Sequence, residues 1–348
     1  MNKRPTPFVI PFFIPHAGCP HRCVFCNQNA ITGITAPPSP ADIRPAIHRF
    51  RCYNHRRRKP VQLAFYGGNF LGLAPDAIIG LLTEAQECVR EGLIDQIRFS
   101  TRPDTITTRA LVMIAGFSVR TIELGIQSMD DAVLSLSRRG HTAGQCEQAL
   151  RLLKERGYET GAQIMTGLPG DTGPQSMDTA EKLAVLGPDF VRIYPAVVIS
   201  GSPLATWYQN GEYTPPGLRD TVHLVSGLYR IFESCDIPVI RMGLQPTEEL
   251  DNSAVVLAGP YHPAFGHLVR STLFLEKAVR VIADSPPCPD RSLTLYVHPR
   301  SVPVLRGLHN DNIQSMKDAF GLKTIRIRGD STLAPDQIVC REKQSDHA

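Results

Sequence analysis

Three cysteines fall within eight residues in the stretch GCPHRCVFCNQ: Cys19, Cys23 and Cys26, spaced C-x3-C-x2-C. A tetrahedral metal site needs four ligands, and no fourth cysteine follows nearby. Two chemistries suit three thiolates. One is zinc, with His16 or His21 as fourth ligand in a structural site, or with an open position in a catalytic one. The other is an iron–sulfur cube whose fourth iron stays open to a substrate or cofactor. Cys52, Cys88, Cys146, Cys235, Cys288 and Cys340 are scattered singly. They supply neither a disulfide framework nor a second C-x2-C pair, which fits a reducing compartment.

A loop of this kind needs elements that hold it. Short runs rich in Val, Ile and Phe occupy 8–15, 61–68, 96–103, 120–128, 160–167 and 190–199, the pattern of buried strands. Helical patterns lie between them. The segment 75–93 opens on Pro75-Asp76, 144–158 closes near Gly157, and 173–187 behaves likewise. Alternating strands and helices predict parallel βα units wound by right-handed crossovers into a barrel. The working face of such a barrel lies at the C-terminal ends of its strands. Every unusual loop falls there: the cysteine loop after strand 1, GGN after strand 2, STRPD after strand 3, QS at the end of strand 4 and GLPG after strand 5. After residue 200 the repeat weakens. A helix near 218–235, a strand at 239–245 and a helical run at 264–283 precede strand LTLYVHPR, a helix over 301–320 and strand KTIRIRG. The expected organisation is a barrel over 1–200 and a small α+β extension over 201–348.

On these residues the sequence resembles the radical S-adenosylmethionine (SAM) superfamily. The resemblance rests on the spacing of Cys19, Cys23 and Cys26, on Phe25 before the last cysteine, and on the ordered loops. Within that superfamily FIPHAGCPHRCVFCNQNAITG, IELGIQSMDDAVLSLSRRGHT, IMTGLPGDT and VRIYPAVVISGSPLATWYQNGEY resemble the radical-SAM half of the elongator-type tRNA-modifying catalytic subunit. Oxygen-independent coproporphyrinogen oxidases are more distant relatives. The resemblance implies a partial (βα)6 TIM-like barrel in which three thiolates hold an oxygen-sensitive [4Fe–4S] cluster and SAM chelates the fourth iron. Reduction of the cluster, by a donor such as flavodoxin or ferredoxin, then splits SAM into methionine and a 5′-deoxyadenosyl radical that abstracts hydrogen from a substrate.

The resemblance also assigns residues. Gly67, Gly68 and Asn69 match the Gly-Gly-acid loop that accepts the SAM amino group, with Asn69 where the family commonly has an acid. Gln127 and Arg139 match positions that touch ribose and carboxylate, and the Arg fork suits a carboxylate. Arg138 reads as solvated. Ser100 and Glu123 sit at strand ends facing the same mouth. Glu123 in an apolar strand is costly unless paired, so it is either a ligand contact or a partner of Arg102. Gln163 aligns with a polar contact residue but carries neither relative's usual side chain. GLPG at 167–170 is expected to cover the adenine.

Outside the barrel motifs the residues point less sharply. HRRRK at 55–59, with Arg44, Arg49 and Arg51 upstream, is the densest basic run and either contacts RNA phosphate or forms a solvated helix end. Tyr261 and His262 either reach the barrel mouth or are structural. The segment 241–250 is a candidate lid, and Trp207 and Tyr208 read as packing. Residues 201–348 show no Gly-rich acetyl-CoA loop, so acetyl-transfer chemistry is not expected of them. Hydrophobic residues at 42%, charged residues at 20% and a net charge of +4 describe an ordinary globular chain that tolerates an anionic partner. Pro7, Pro11 and Pro15 interrupt the apolar N-terminal run, and no stretch approaches the ~18 apolar residues of a membrane span. A cytoplasmic location is therefore expected. The leading expectation is a radical SAM enzyme acting on RNA. The alternatives are one acting on a small molecule such as a tetrapyrrole, or a non-enzymatic zinc or cluster module.

Overall fold

The computed structural model describes residues 6–20, 22–33, 38–55, 57–247, 250–251, 254–285 and 290–341. His21, Arg56, Glu248, Glu249, Cys288 and the part of the terminal REKQSDHA after Arg341 lie outside the described residues.

The chain divides into two compact units. The first, residues 1–221 with 228–263, is built on a parallel sheet whose strand order follows the chain. Its strands are β1 (Phe8–Phe13), β2 (Val61–Tyr66), β3 (Gln96–Thr101), β4 (Val119–Gln127), β5 (Glu159–Thr166) and β6 (Phe190–Pro195). Then β7 (Val198–Ile199) leaves the sheet to pair antiparallel with β9 (Val256–Ala258), and β8 (Val239–Met242) adds parallel to β6 as the seventh strand. Sequence alone sets that seventh strand in the C-terminal extension. It is only four residues long, and its partner is reached over an irregular connection of more than forty, so no local pattern announces the pairing.

Helices fill the crossovers: α1 (Gln28–Thr32) and α2 (Ile43–Arg51), α3 (Pro75–Arg90), α4 (Thr108–Ile114), α5 (Asp131–Leu136) and α6 (Ala143–Glu155), and α7 (Gly173–Leu186). Their ends follow local chemistry. Thr142 and Gln145 form a capping box at α6, and Thr172 caps α7 with a proline in its first turn. Gly187 ends α7 in the left-handed conformation. After β7 come α8 (Pro203–Gln209) and α9 (Leu218–Ser234).

The core beneath the loops is aromatic. Phe65 and Phe99 sandwich Phe70, with ring centroids 4.9 and 4.5 Å apart, and all three are fully buried. Phe70 directly follows Gly67-Gly68-Asn69, so this stack anchors the loop from below.

The second unit, residues 222–227 with 264–348, holds α10 (Phe265–Ala283), β10 (Ser292–Val297), α11 (Val302–Arg306), α12 (Asp311–Phe320), β11 (Thr324–Gly329) and β12 (Ile338–Arg341). The single helix expected over 301–320 is two, because Gly307 at φ +77° and a short 3-10 turn break it. Among the described residues no helix is long and apolar enough to cross a membrane.

Candidate active site

The cysteine loop leaves the C-terminal end of β1 and is laced at once to the loop after β2. Ile14 N donates to Tyr66 O at 2.8 Å, His16 N to Gly67 O at 3.1 Å and Asn69 N to Ala17 O at 2.9 Å. Two glycines permit this approach. A Cβ on Gly18, itself at φ +73°, would lie 2.2 Å from Asn69 O, and one on Gly68 would lie 2.5 Å from the carbonyls of Ala17 and Ile14. Backbone cannot retreat cheaply, so both positions need glycine.

Asn69 has a different task from the one its alignment suggests. Its Oδ1 accepts from Thr101 Oγ1 (2.7 Å), Arg102 N (3.0 Å) and Thr105 Oγ1 (3.1 Å), and its Nδ2 donates to Gly18 O (2.9 Å). A buried amide with four partners ties three loops together and has no free acceptor for a cofactor. The replacement of an acid by Asn therefore has a structural reason: a carboxylate could not donate to Gly18 O.

The three thiols differ in exposure. Cys23 and Val24 are buried, while Cys19 is exposed. Arg139 Nη1 lies 3.0 Å from Cys23 Sγ, and Nη2 donates to Gly125 O at 2.5 Å. A single guanidinium thus pins the cysteine loop to the end of β4. Gln127, at φ +72°, also sits there, and a Cβ on Gly125 would crowd both its Nε2 and Arg139 Nη2. Burial pushes the Cys26 thiol up to about 12, with the neighbouring Cys23 and Cys19 adding to the shift, while Arg139 and Gln28 oppose it. Burial and Cys23 likewise raise Cys19. A cationic group placed beside Cys19 and Cys26 would stabilise both as thiolates.

His16 does not complete a tetrahedron with the three thiols. His16 Nε2 accepts the Gln28 backbone N–H at 3.0 Å, so that lone pair is engaged; His21 lies outside the described residues. Among the described residues no three His, Cys, Asp or Glu groups converge as a single ion requires. A cube differs, because each thiolate binds its own iron. On the cofactor side, Gln28 Oε1 is buried without a hydrogen-bond partner, and the missing Cβ of Gly67 would lie 2.7 Å from it. An unsatisfied acceptor beside the glycine loop suits an N–H donor such as an ammonium. The residues fit a three-thiolate cluster with SAM beside it. Sequence reading misses Gln28; its place two residues past the last cysteine is the available signal.

Phe25 bridges the loop to its surroundings. It packs with Val24, Val198, Leu204 and Tyr213 on one side and with Val133, Leu168 and Ala196 on the other. GLPG is held in turn: Tyr213 OH donates to Gly167 O at 2.5 Å, and Gly167 N donates to Asp171 Oδ2 at 2.8 Å. Trp207 packs in the same cluster and receives exposed Arg138 over its ring at 5.6 Å.

Glu123 is fully buried at the centre of the barrel interior. It does not pair with Arg102, whose Nε contacts Asp104 Oδ1 at 2.9 Å. Its partners are Arg98 Nη2 (2.5 Å), Arg192 Nε (2.7 Å), Tyr66 OH (2.7 Å) and Gln163 Nε2 (3.0 Å). Gln163 also donates to Ser100 Oγ at 3.1 Å. The network continues downward, with Arg98 Nη1 donating to Gln62 Oε1 at 2.8 Å. Burial alone would raise the Glu123 carboxyl, but the guanidiniums of Arg192 and Arg98, with hydrogen bonds from Gln163 and Tyr66, bring it down to about 2. The strands read as apolar runs because their outward faces are apolar; their inward faces carry this polar belt.

Other candidates fall elsewhere. Arg57, Arg58 and Lys59 of the run HRRRK directly precede β2 and so lie at the N-terminal end of the strands, opposite the cysteines. There Lys59 pairs with Asp95 (2.6 Å), Arg58 covers Phe8 (5.1 Å), and Arg44 is forked by Glu91 (2.6 Å) and Glu84 (2.5 Å). Tyr261 OH donates to Asp251 Oδ1 at 2.6 Å within a cluster around Leu250.

A parallel half-barrel with a three-thiol loop at the carboxyl ends of its strands defines a cluster-dependent barrel enzyme. Residues 13–183 match the Radical SAM superfamily, and residues 188–274 match the Radical_SAM C-terminal domain. The chain belongs to the radical SAM superfamily, whose enzymes use a [4Fe–4S] cluster and SAM and need a reductant. It is 26% identical over 231 residues to the tRNA uridine(34) acetyltransferase of Dehalococcoides mccartyi, covering 57% of this chain and 50% of that one. It is 25% identical over 162 residues to human Elongator complex protein 3, covering 43% and 30%. The chain thus spans half or less of these relatives' length. Its fold superposes on Methanocaldococcus infernus Elp3 with an N-terminal deletion at a TM-score of 0.60 and 19% identity, over 83% of this chain and 70% of that one.

Proposed function

We propose that this chain is a tRNA-modifying radical SAM enzyme, with residues 1–200 as its catalytic core and 201–348 contributing to substrate binding. The observation that carries the catalytic assignment is the Arg139 bridge between Cys23 and the end of β4, which seats the three-thiol loop on the barrel mouth. The tRNA assignment rests on relatives named as tRNA uridine(34) acetyltransferases.

When bound, the cluster and SAM supply a substrate-derived radical by hydrogen abstraction. Cys19, Cys23 and Cys26 would hold the iron. Arg139 offsets thiolate charge at Cys23 and faces the Gln127 amide across Gly125. The Gly67-Gly68 backbone would let the loop approach the cofactor, and the unsatisfied Gln28 Oε1 would accept an N–H from the SAM amino group. Asn69 fixes that loop from behind. Phe25, packed against buried Leu168, would exclude water from the bound cofactor. Glu123, Gln163 and Ser100 line the interior and keep Arg192 oriented toward it.

The test is anaerobic reconstitution with iron and sulfide, then SAM cleavage under reduction with bulk tRNA, read by nucleoside mass spectrometry. A modified nucleoside together with 5′-deoxyadenosine supports the reading. SAM cleavage that leaves tRNA unchanged, and is stimulated by a small molecule, overturns the RNA part. A colourless protein holding one zinc overturns the whole.

A further inference from the structure

The second unit carries a surface that the barrel chemistry does not use. Its sheet runs β11-β10-β12. One face is apolar: Leu293, Leu295, Val297, Ile325 and Ile338 are buried with residues of α10, α11 and α12. Strand alternation sends Thr294, Tyr296, Arg326 and Arg328 to the opposite face. The parallel register sets Thr294 beside Arg326 and Tyr296 beside Arg328. Arg326 and Arg328 are exposed, and the ion pairs among the described residues do not include them. No acid alternates onto this face within β10 or β11; Asp330, just past the end of β11, accepts from Thr332 N at 3.0 Å and Thr332 Oγ1 at 2.5 Å. Residues 264–341 hold 11 Lys and Arg against 7 Asp and Glu, so the unit is basic in a chain of net charge +4.

We propose that this face binds single-stranded RNA, an inference that rests on the RNA reading above and names where the strand would lie. Two arginines one strand repeat apart stand about 7 Å from each other, a row of fixed cations for a backbone to follow. Arg forks suit phosphate oxygens. The Tyr296 ring, on the central strand between them and β12, is a stacking platform for a base, and the Thr294 hydroxyl is a sugar or phosphate contact. The bland alternative is that charged side chains on edge strand β11 only block edge-to-edge pairing.

The experiment uses the full reconstituted chain and a fluorescent oligo(U) 12-mer, with bulk tRNA in parallel. Binding is followed by anisotropy from 50 to 300 mM KCl. Wild type should bind the oligomer with a steep salt dependence. Arg326→Gln with Arg328→Gln should weaken it by roughly tenfold and reduce the salt slope by about 1.4, two single-strand phosphate contacts. Tyr296→Leu should weaken it roughly tenfold with the slope unchanged. Because the arginines are exposed, fold loss is not expected, and circular dichroism checks it. If wild type binds and the double variant matches it, the platform is wrong and the RNA reading stands. The platform is equally wrong, with the RNA reading intact, if wild type binds tRNA but not the oligomer. If wild type binds neither RNA, both fail together.

Discussion

Replacing Glu123 by Gln tests the polar belt most directly. The carboxylate is buried against Arg98 at 2.5 Å and Arg192 at 2.7 Å, with Tyr66 and Gln163 completing its shell. Its folded value of about 2 against an ordinary 4.5 corresponds to about 3 kcal/mol, at roughly 1.4 kcal/mol per pH unit. Removing the anion also leaves two guanidiniums facing each other, and breaking a buried pair costs about 3–5 kcal/mol. The two routes agree, so Glu123→Gln should lose about 3–5 kcal/mol of unfolding free energy at pH 7. Urea melts followed by far-UV circular dichroism, at matched iron content, measure it. The sign with pH follows from the depressed value. The contribution is complete above the unfolded value of 4.5 and disappears as pH falls toward 2. The gap between wild type and variant should therefore narrow between pH 5 and 3. A variant within about 1 kcal/mol of wild type at pH 7, where surface changes usually fall, would refute the reasoning. So would a gap that does not change with pH. If the variant is stable but binds SAM poorly, Glu123 is a ligand contact rather than the keystone of the belt.

Other outcomes follow from the loops. Cys19→Ala, Cys23→Ala and Cys26→Ala should each abolish iron incorporation and absorption near 400 nm while the far-UV spectrum is retained; loss of fold instead would favour a structural metal. Asn69→Asp turns the donor facing Gly18 O into an acceptor and should cost about 1–3 kcal/mol in urea melts, despite restoring the family's commoner acid. Gly68→Ala drives a Cβ to 2.5 Å from two carbonyls and should cost about 1–3 kcal/mol, with iron content falling alongside. Gln28→Leu should weaken SAM binding in equilibrium dialysis by roughly tenfold, the worth of one charge-assisted hydrogen bond, at unchanged iron content; unaltered SAM affinity removes Gln28 from the site.

The chemistry was legible in the chain because it is encoded locally. The spacing of Cys19, Cys23 and Cys26 depends on one loop, and the glycines at 67 and 68 are needed wherever backbone approaches backbone. The strand–helix alternation that carries them is likewise a local pattern of apolar period and caps. Partner choice was not legible. Glu123 could be read as needing a cation, yet Arg98 and Arg192 were chosen over Arg102 only by strand register, which sets Glu123 beside Ser100 and Gly161 and turns all these side chains inward. Asn69 looked like a weakened acid; only the crossing of three loops shows it as a tie. The basic run 55–59 reads either as an RNA contact or as a solvated helix end, and only the parallel sheet shows that Arg57, Arg58 and Lys59 lie at the far end from the cysteines. Sequence alone determined the family and marked most of the groups proposed to do its chemistry, since residue type and short spacing survive in one dimension. The tertiary structure decided which of them meet, since pairing in a parallel sheet joins residues tens of positions apart that no local pattern connects.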